Sequence, residues 1–462
     1  MRELPQGWEL VPLRTLIELN PKTIAVEDCT EVGFVPMTLL GKRWFDVPGF
    51  ELRQWASVKK GYTHFQDGDV LLAKITPCFE NGKAGLIRGL PNGIGSGSTE
   101  YFVCRTSAGT LDSRYLLAYL KTDDFMHTGA MSMTGSVGHK RVPKEYLLGR
   151  EIPLAPQREQ IRIANQLDTL LTRIQACNDR FDAIPVLLKR FRQTVLTEAT
   201  SRTLSDADDA ASSVVWTETT IGAISIDLRY GTSKKCEYST QGTGVLRIPN
   251  IANRGRIDAT DLKRAKFDSN ELEKLALREG DLLVIRSNGS VELVGKTGRV
   301  SADEAGLLFA GYLMRLRVDL EKALPAFIQI CLSAPMQRQY IERTAKSTSG
   351  VNNLNAAELR AVPLLLPTLS KQIEIVRRVE ALLALADRIE ARCTAARDQA
   401  QRLTPLVLAK AFRGELVPQN PNDEPAIALM ARIASSKTAV TEKNKRKMPV
   451  AQRIKPLAAI NL

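Results

Sequence analysis

The sequence predicts an α+β chain: two tandem α+β domains alternate with two long α-helices that pair as an antiparallel coiled coil. Three observations predict it. The chain is written twice, the second copy following the first at a nearly constant offset. Each copy closes on a long stretch with a helical apolar stripe. Before that stretch, each copy has short β-like runs between Gly and Asn turns. A chain of 462 residues is too long for one ordinary domain, and the doubling accounts for its length.

The repeat is visible in short phrases. Gly68-Asp69-Val70-Leu71-Leu72 returns as Gly280-Asp281-Leu282-Leu283-Val284, Gln160-Ile161 as Gln372-Ile373, and Val195-Leu196 with Ala199 as Val407-Leu408 with Ala411, all at an offset of 212. Trp8 answers Trp216 at 208 and Gly82-Lys83 answers Gly295-Lys296 at 213, slips of the size that loop insertions produce. The boundaries that follow are 1–152 and 214–364 for the mixed domains, 153–200 and 365–420 for the helical regions, 201–213 for a small polar linker, and 421–462 for a basic, disordered tail.

Within the mixed domains, Val70–Ala73, Tyr101–Cys104, Leu282–Ile285 and Leu313–Val318 read as strands. Tyr115–Leu120 and Ala326–Leu332 read as helical pieces. In the first helical region, Ile163, Leu167, Leu170, Ile174, Cys177, Phe181, Ile184, Leu188, Phe191 and Val195 advance in alternating steps of 4 and 3. That is the 3.5-residue repeat of a coiled coil. The offset carries the stripe onto Ile375, Val379, Leu382, Ala386, Ile389, Cys393, Ala396, Ala400, Leu403 and Val407. The expected packing residues are Ile163, Leu167, Leu170, Ile174, Phe181, Leu188 and Phe191, facing Ile375, Val379, Leu382, Ile389 and Leu403. Pro185 and Pro405 should kink or break their helices, because proline removes a donor and clashes one turn back. A helix of about 40 residues spans roughly 60 Å, the length of a spacer.

Composition narrows the function classes. The net charge is +13 and the pI about 9.4, a balance that attracts polyanions, nucleic acid first among them. The tail from Lys437 to Lys455 supplies about half of that excess, so the body is basic in its own right. No apolar run reaches the roughly 18 residues of a membrane span. The opening residues lack the basic start and apolar core of a secretory signal. Seven scattered cysteines form no Cys-x-x-Cys pair and read as free thiols in a reducing cytoplasm.

The chemistry-bearing motifs fail one by one. The three histidines, His64, His127 and His139, lack metal-ligand spacing. Gly295-Lys296-Thr297 has the ending of a phosphate-binding loop, but Ser290 stands where its first glycine belongs. Gly93-x-Gly95-x-Gly97 lacks dinucleotide-binding spacing. There is no nucleophile elbow, nuclease pattern or methyltransferase motif. An enzyme acting on DNA by itself would need such motifs. A pure coiled-coil scaffold would leave the paired Gly/Asn/Lys loops and the basic body unexplained.

The ordered phrases resemble the specificity (S, HsdS) subunit of type I restriction-modification enzymes. Trp8-Glu9-Leu10-Val11-Pro12-Leu13 and Trp216-Thr217-Glu218-Thr219-Thr220-Ile221-Gly222 are similar to the opening of that family's recognition domains. Gly68 to Pro77 and Gly280 to Gly289 resemble its mid-domain strand and loop. Leu154 to Gln160 and Leu366 to Gln372 resemble its lead-in to the spacer helices, and Ala411-Phe412-Arg413-Gly414-Glu415-Leu416 its exit from them. The resemblance covers about residues 1–420; the first copy departs from it in having Thr197-Glu198-Ala199-Thr200-Ser201 at the exit.

The resemblance implies a non-catalytic subunit with two target-recognition domains, each reading half of a split site in double-stranded DNA. The helices would set the gap and bind two modification (methyltransferase) subunits, which carry S-adenosylmethionine and methylate adenine. Restriction subunits, with a motor using ATP and Mg and a nuclease, would join them. This chain itself would hold no cofactor or metal and would meet no membrane.

DNA contacts draw on Lys, Arg, Asn, Gln, Ser and Thr in exposed loops. In the first domain the candidates are Lys74, Thr76, Asn81 and Lys83 in the mid-domain loop, with Lys140 and Arg141 in a second loop. In the second they are Arg286, Ser287, Asn288 and Lys296, with Ser349 and Asn352 in the matching second loop. Arg229, Tyr230, Thr232, Ser233 and Lys234 form a further basic turn with an aromatic residue.

Overall fold

The computed structural model of the chain describes residues 4–22, 26–44, 46–107, 109–136, 138–201, 215–251, 255–348 and 350–432. Most of the predicted linker, and the tail beyond 432, lie outside them. The chain divides into two compact units, one taking residues up to 180 and returning at 396, the other formed by 181–395.

In the first unit, Val70–Ala73 sits inside an antiparallel sheet ordered Ile17–Leu19, Tyr101–Thr106, Val70–Ala73, Ala84–Leu86. Successive residues of a strand point to opposite faces. Val70, Leu72, Phe102 and Cys104 join one core, against the helices Ser113–Leu120 and Asp123–Met131. Leu71, Ala73, Tyr101 and Val103 join another, with Val35 and Phe65 of a second sheet. Both faces are covered, so the strand reads as an unbroken apolar run and not as an alternation. The second sheet runs Glu51–Gln54, Glu31–Val35, Ile94–Gly97, Thr63–Gln66, with its central pair parallel. Gly95 and Gly97 belong to it. A Cβ at Gly95 would lie 2.2 Å from the Phe65 ring, and one at Gly97 2.4 Å from the Val35 carbonyl oxygen. The glycine-rich segment is therefore a packing requirement.

The second unit repeats this plan at the same offset. Leu282–Ile285 is flanked by Leu313–Val318 and Thr297–Arg299 in a sheet that starts with Ser225–Tyr230. Leu282 and Val284 face one core, Leu283 and Ile285 another. The helices Pro325–Ser333 and Pro335–Thr344 follow. Each domain closes by pairing its first strand with its last, Glu9–Pro12 with Glu151–Leu154 and Thr217–Thr220 with Pro363–Leu366.

Two repeated phrases turn out to be clamps. Gly68 and Gly280 hold φ of +91° and +87°, a region open to glycine. The Asp after each is buried and accepts both arms of an arginine from the neighbouring strand. Arg105 meets Asp69 at 2.8 and 2.7 Å, and Arg317 meets Asp281 at 2.7 and 2.7 Å. The other clamp is a fully buried glutamine in the first turn of each long helix. Gln160 donates to the Thr110 and Ala155 carbonyls at 3.1 and 2.8 Å and accepts from Asp112 N–H at 2.9 Å. Gln372 repeats all three bonds, to the Lys322 and Pro367 carbonyls at 3.2 and 3.0 Å and from Leu324 N–H at 2.8 Å.

The long helices run Gln157–Thr200 and Leu369–Ala411, unbroken through Pro185 and Pro405. Pro185 is exposed and leaves the carbonyl one turn back without its helical donor. They pack antiparallel: Leu167 and Leu171 share the first unit's core with Leu408 and Ala411, and Val195 and Ala199 share the second unit's with Ile375 and Val379. In the second unit Arg192 bonds Asp387 and Glu390 at 2.9 and 2.8 Å.

The predicted register needs correcting. The inward stripe is Ile163, Leu167, Leu171, Ile174 and then Leu188, Arg192, Val195, Ala199, in steps of 4, 4, 3 and 4, 3, 4. Leu170 is only half-buried, and Phe191, Leu382, Ile389 and Leu403 are exposed. The 3.5-residue repeat fell one position short at each, because these helices keep the 3.6-residue turn of a straight helix. The true stripe obeys the repeat too, placing Ile375, Val379, Leu383 and Ala386 inward. Phe181 is half-buried and Leu188 buried.

The start of the tail is a second correction. Residues up to 432 pack on the first unit, with Ala426 and Leu429 buried in its core. Asp423 bonds Arg162 at 2.7 Å, and Ala426 N–H donates to the Gly7 carbonyl at 2.9 Å. The apolar spacing of this segment outweighs its polar composition. All seven cysteines are free thiols.

Replacing Gln160 by Leu strands two carbonyls and one N–H in a buried site. The expected loss is about 2–4 kcal/mol, read in urea unfolding of the full chain. Gln372→Leu should match it. A loss in both below about 0.5 kcal/mol, the floor for a single net hydrogen bond, would show that the clamp does not hold the fold.

Candidate nucleic-acid interface

In each domain the chain leaves the central strand into the loop that carries the candidate cations. The two loops singled out separately in the sequence come together here. In the first domain, Thr76 N–H donates to the Lys140 carbonyl and Val142 N–H to the Lys74 carbonyl, both at 2.9 Å. In the second, Ser287–Asn288 pairs with Val351–Asn353, and Leu354 N–H donates to the Arg286 carbonyl at 2.8 Å. Lys74, Thr76, Lys140 and Arg141 thus occupy the same addresses as Arg286, Asn288, Asn352 and Asn353, each related by the repeat offset.

At those shared addresses the side chains differ. In the second domain the Arg286 guanidinium lies over the Tyr230 ring, 4.5 Å from its centroid, and its Nε and Nη2 reach Asn353 Oδ1 at 3.3 Å. Tyr230 is fixed in turn by accepting from Ala356 N–H at 2.9 Å. Asn352 donates to the Gly289 carbonyl at 3.0 Å, and Asn288 accepts from Ser290 N–H at 2.9 Å. Ser287 is half-buried and Lys296 exposed. Ser349 lies outside the described residues.

In the first domain, Lys74 sits 5.4 Å from the Phe102 ring centroid. Arg141 forms a two-armed pair with Glu100, at 2.9 and 2.7 Å. Its hydrogen bonds hold the Glu100 carboxyl below the usual carboxylate range, against the opposing effect of partial burial. Thr76 Oγ1 lies 3.8 Å from Met133 Sδ, and Asn81 and Lys140 are exposed.

Other candidates are engaged with the protein. Lys83 donates to the Met37 carbonyl. Arg229 donates to the Lys274 carbonyl and to Asp227, both at 3.2 Å, beside the buried pair of Arg315 with Asp227. Lys234 pairs with Glu271 at 3.2 Å, Thr232 Oγ1 accepts from Lys234 N–H at 3.1 Å, and Ser233 is exposed. Sequence reasoning missed Glu100, Asn353 and the exposed Tyr312, which is the counterpart of Glu100. The repeat could have found Asn353, because Arg141 at the same address was already a candidate. Thr297, in the would-be phosphate loop, is a buried strand residue, followed by a single 3-10 turn at Ala302–Glu304 and not by the α-helix a phosphate loop needs. Among the described residues no group of three or more His, Cys, Asp and Glu could hold a metal ion, and no helix is long and apolar enough to cross a membrane.

No protein-family model matches the chain. The EcoBI type I restriction enzyme specificity subunit of Escherichia coli is 31% identical to it over 66% of this chain and 68% of its own length. The chain belongs to the type I restriction enzyme specificity subunits. The EcoEI specificity subunit of Escherichia coli is 27% identical over 85% of this specificity subunit and 80% of its own length. A chain from a solved structure on complex assembly and conformational transition of the type I R-M system matches with a TM-score of 0.66. It covers 90% of this chain and 100% of its own length at 18% identity, a likeness of fold.

The Glu100–Arg141 pair sets a testable titration. A depressed carboxylate stabilises the fold above its unfolded pKa, and that contribution is lost as pH falls through the folded value. In a chain carrying 13C-labelled glutamate, Glu100 should titrate below the ordinary glutamate range. Arg141→Ala should move its midpoint upward; an unmoved midpoint would mean the pair does not form in solution.

Proposed function

We propose that each domain reads one half of a split site in double-stranded DNA through its pair of joined loops. One observation carries this reading. The two copies hold their loops with the same clamps and the same backbone bonds, yet they present Lys74, Thr76 and Arg141 in one and Arg286, Asn288 and Asn353 in the other. A repeated frame with unlike polar side chains at matching addresses is what two different half-sites require. Arg and Asn offer the paired hydrogen bonds that distinguish guanine and adenine in the major groove. Tyr230 holds Arg286 in a fixed stack, which lowers the entropy lost on contact. The net charge of +13 favours the phosphate backbone.

In this reading the chain is non-catalytic. The long helices set the gap and carry two modification subunits with S-adenosylmethionine, which methylate adenine, and restriction subunits using ATP and Mg join that complex. The family membership supports this division of labour, as does a matching fold in a structure concerned with assembly of the type I R-M system. Asn81, Lys140, Ser287 and Lys296 supply further contacts. Arg141, Lys83, Arg229 and Lys234 contribute only by leaving their present partners.

The test is single-molecule methylation mapping of DNA from cells that express the chain with its modification subunit. The expected result is methyladenine at a motif of two short halves with a fixed gap. Arg286→Ala should weaken recognition of one half only, by about 1–3 kcal/mol. Equal loss at both halves would overturn the assignment of Arg286, and a continuous motif would overturn the two-domain reading.

A further inference from the structure

The first unit contains a cavity of about 210 Å³ directly behind the mid-domain loop, with the long helices as its floor. Lys42, Arg43 and Lys121 give its lining three cations, and no Asp or Glu lines it. Its floor is apolar, formed by Leu171, Ile174 and Leu408. The nearby carboxylates already have protein donors. Asp46 accepts the backbone N–H groups of Lys42 and Arg43, each at 2.9 Å, and Asp168 accepts Trp44 Nε1–H at 2.8 Å. Asp179 lies 3.6 Å from Arg43 at an exposed edge.

Lys121 is the centre of the site. Its Nζ donates to the Lys42 and Gly82 carbonyls at 2.9 and 3.0 Å. An ammonium has three donors, so one N–H is left for an occupant. On the helix side, the buried Oδ1 of Asn178, an acceptor, has no hydrogen-bond partner, so it can meet a donor on the occupant and not its anionic group. The counterpart of Lys121 in the second domain is Ser333, so the repeat does not explain the lysine.

We propose that this cavity binds a small amphipathic organic anion, its charged group at Lys121, Lys42 and Arg43 and its apolar body on Leu171, Ile174 and Leu408. Burial pulls the Lys121 ammonium down to about 8, with Asp46 opposing, and an anion at its free donor would offset that desolvation. The occupant would bridge the domain to the helix beneath it, through side chains that the DNA-reading role does not use. The inference goes beyond that role and does not depend on it.

A matched pair of probes tests it. Isothermal titration of the full chain with 2-naphthoate should show one site, and the neutral 2-naphthamide should bind at least about tenfold more weakly. Ile174→Trp should abolish naphthoate binding by filling the floor. Arg43→Gln, an exposed change that leaves the fold intact, should weaken it severalfold. Equal affinities for the two probes, binding that survives Ile174→Trp, or no naphthoate binding at millimolar concentration would each overturn the proposal.

Discussion

The rest of the fold hangs on a buried glutamine in the first turn of each long helix. A side-chain amide has an acceptor and two donors, and Gln160 and Gln372 use all of them on the backbone. Two bonds reach into the domain, to a carbonyl and an N–H just before the helix Ser113–Leu120 or its counterpart Pro325–Ser333, and the third closes the turn that begins the long helix. Domain and helix are thereby locked at one angle. Apolar contact alone would leave that angle soft, because burial has no preferred direction. The Asp–Arg clamp does the same one layer further in. It ties the turn before the central strand to the next strand, so the loop that leaves the other end of that strand starts from a fixed point.

Much of this was legible because it was written twice. A phrase that returns at a fixed offset marks a position with a job, even before the job is known. Gly68-Asp69 and Gln160 were found that way, and the structure shows what they do. The helix register was misread for a physical reason. Alternating 4 and 3 steps fit the large apolar residues best, and Phe191, Leu382 and Leu403 are large and apolar. The residues that actually face inward include Arg192 and Thr404, which no apolar count selects. Arg192 is tolerated there because Asp387 and Glu390 both meet it.

The candidate site was legible as loops and illegible as individual contacts. Sequence shows that Lys83 and Arg229 are cations in the right segments. It cannot show that Met37 and Lys274 present carbonyls to them, since those partners lie 46 and 45 residues away. The packed segment up to residue 432 was missed differently. A composition average over the basic tail hid the three-residue spacing of Ala426 and Leu429.

The two copies also differ where no loop is involved. Trp8 donates its ring N–H to Glu159 at 3.1 Å. Lys371 stands at the counterpart of Glu159 and pairs with Glu374 instead, and the ring N–H of Trp216 is buried without a partner. An unmet buried donor costs about 1–3 kcal/mol, and the second copy carries one at Trp216. The first copy meets its donor but leaves the other oxygen of Glu159, Oε1, buried without a partner, and burial raises that carboxyl above the usual range. The clamps tolerate both solutions, because neither tryptophan takes part in them. That separation lets the loops differ freely between copies. Side chains at the candidate loop positions can change without disturbing the glutamine, the Asp–Arg pair or the strand they anchor, and a protein whose task is to discriminate targets needs that independence.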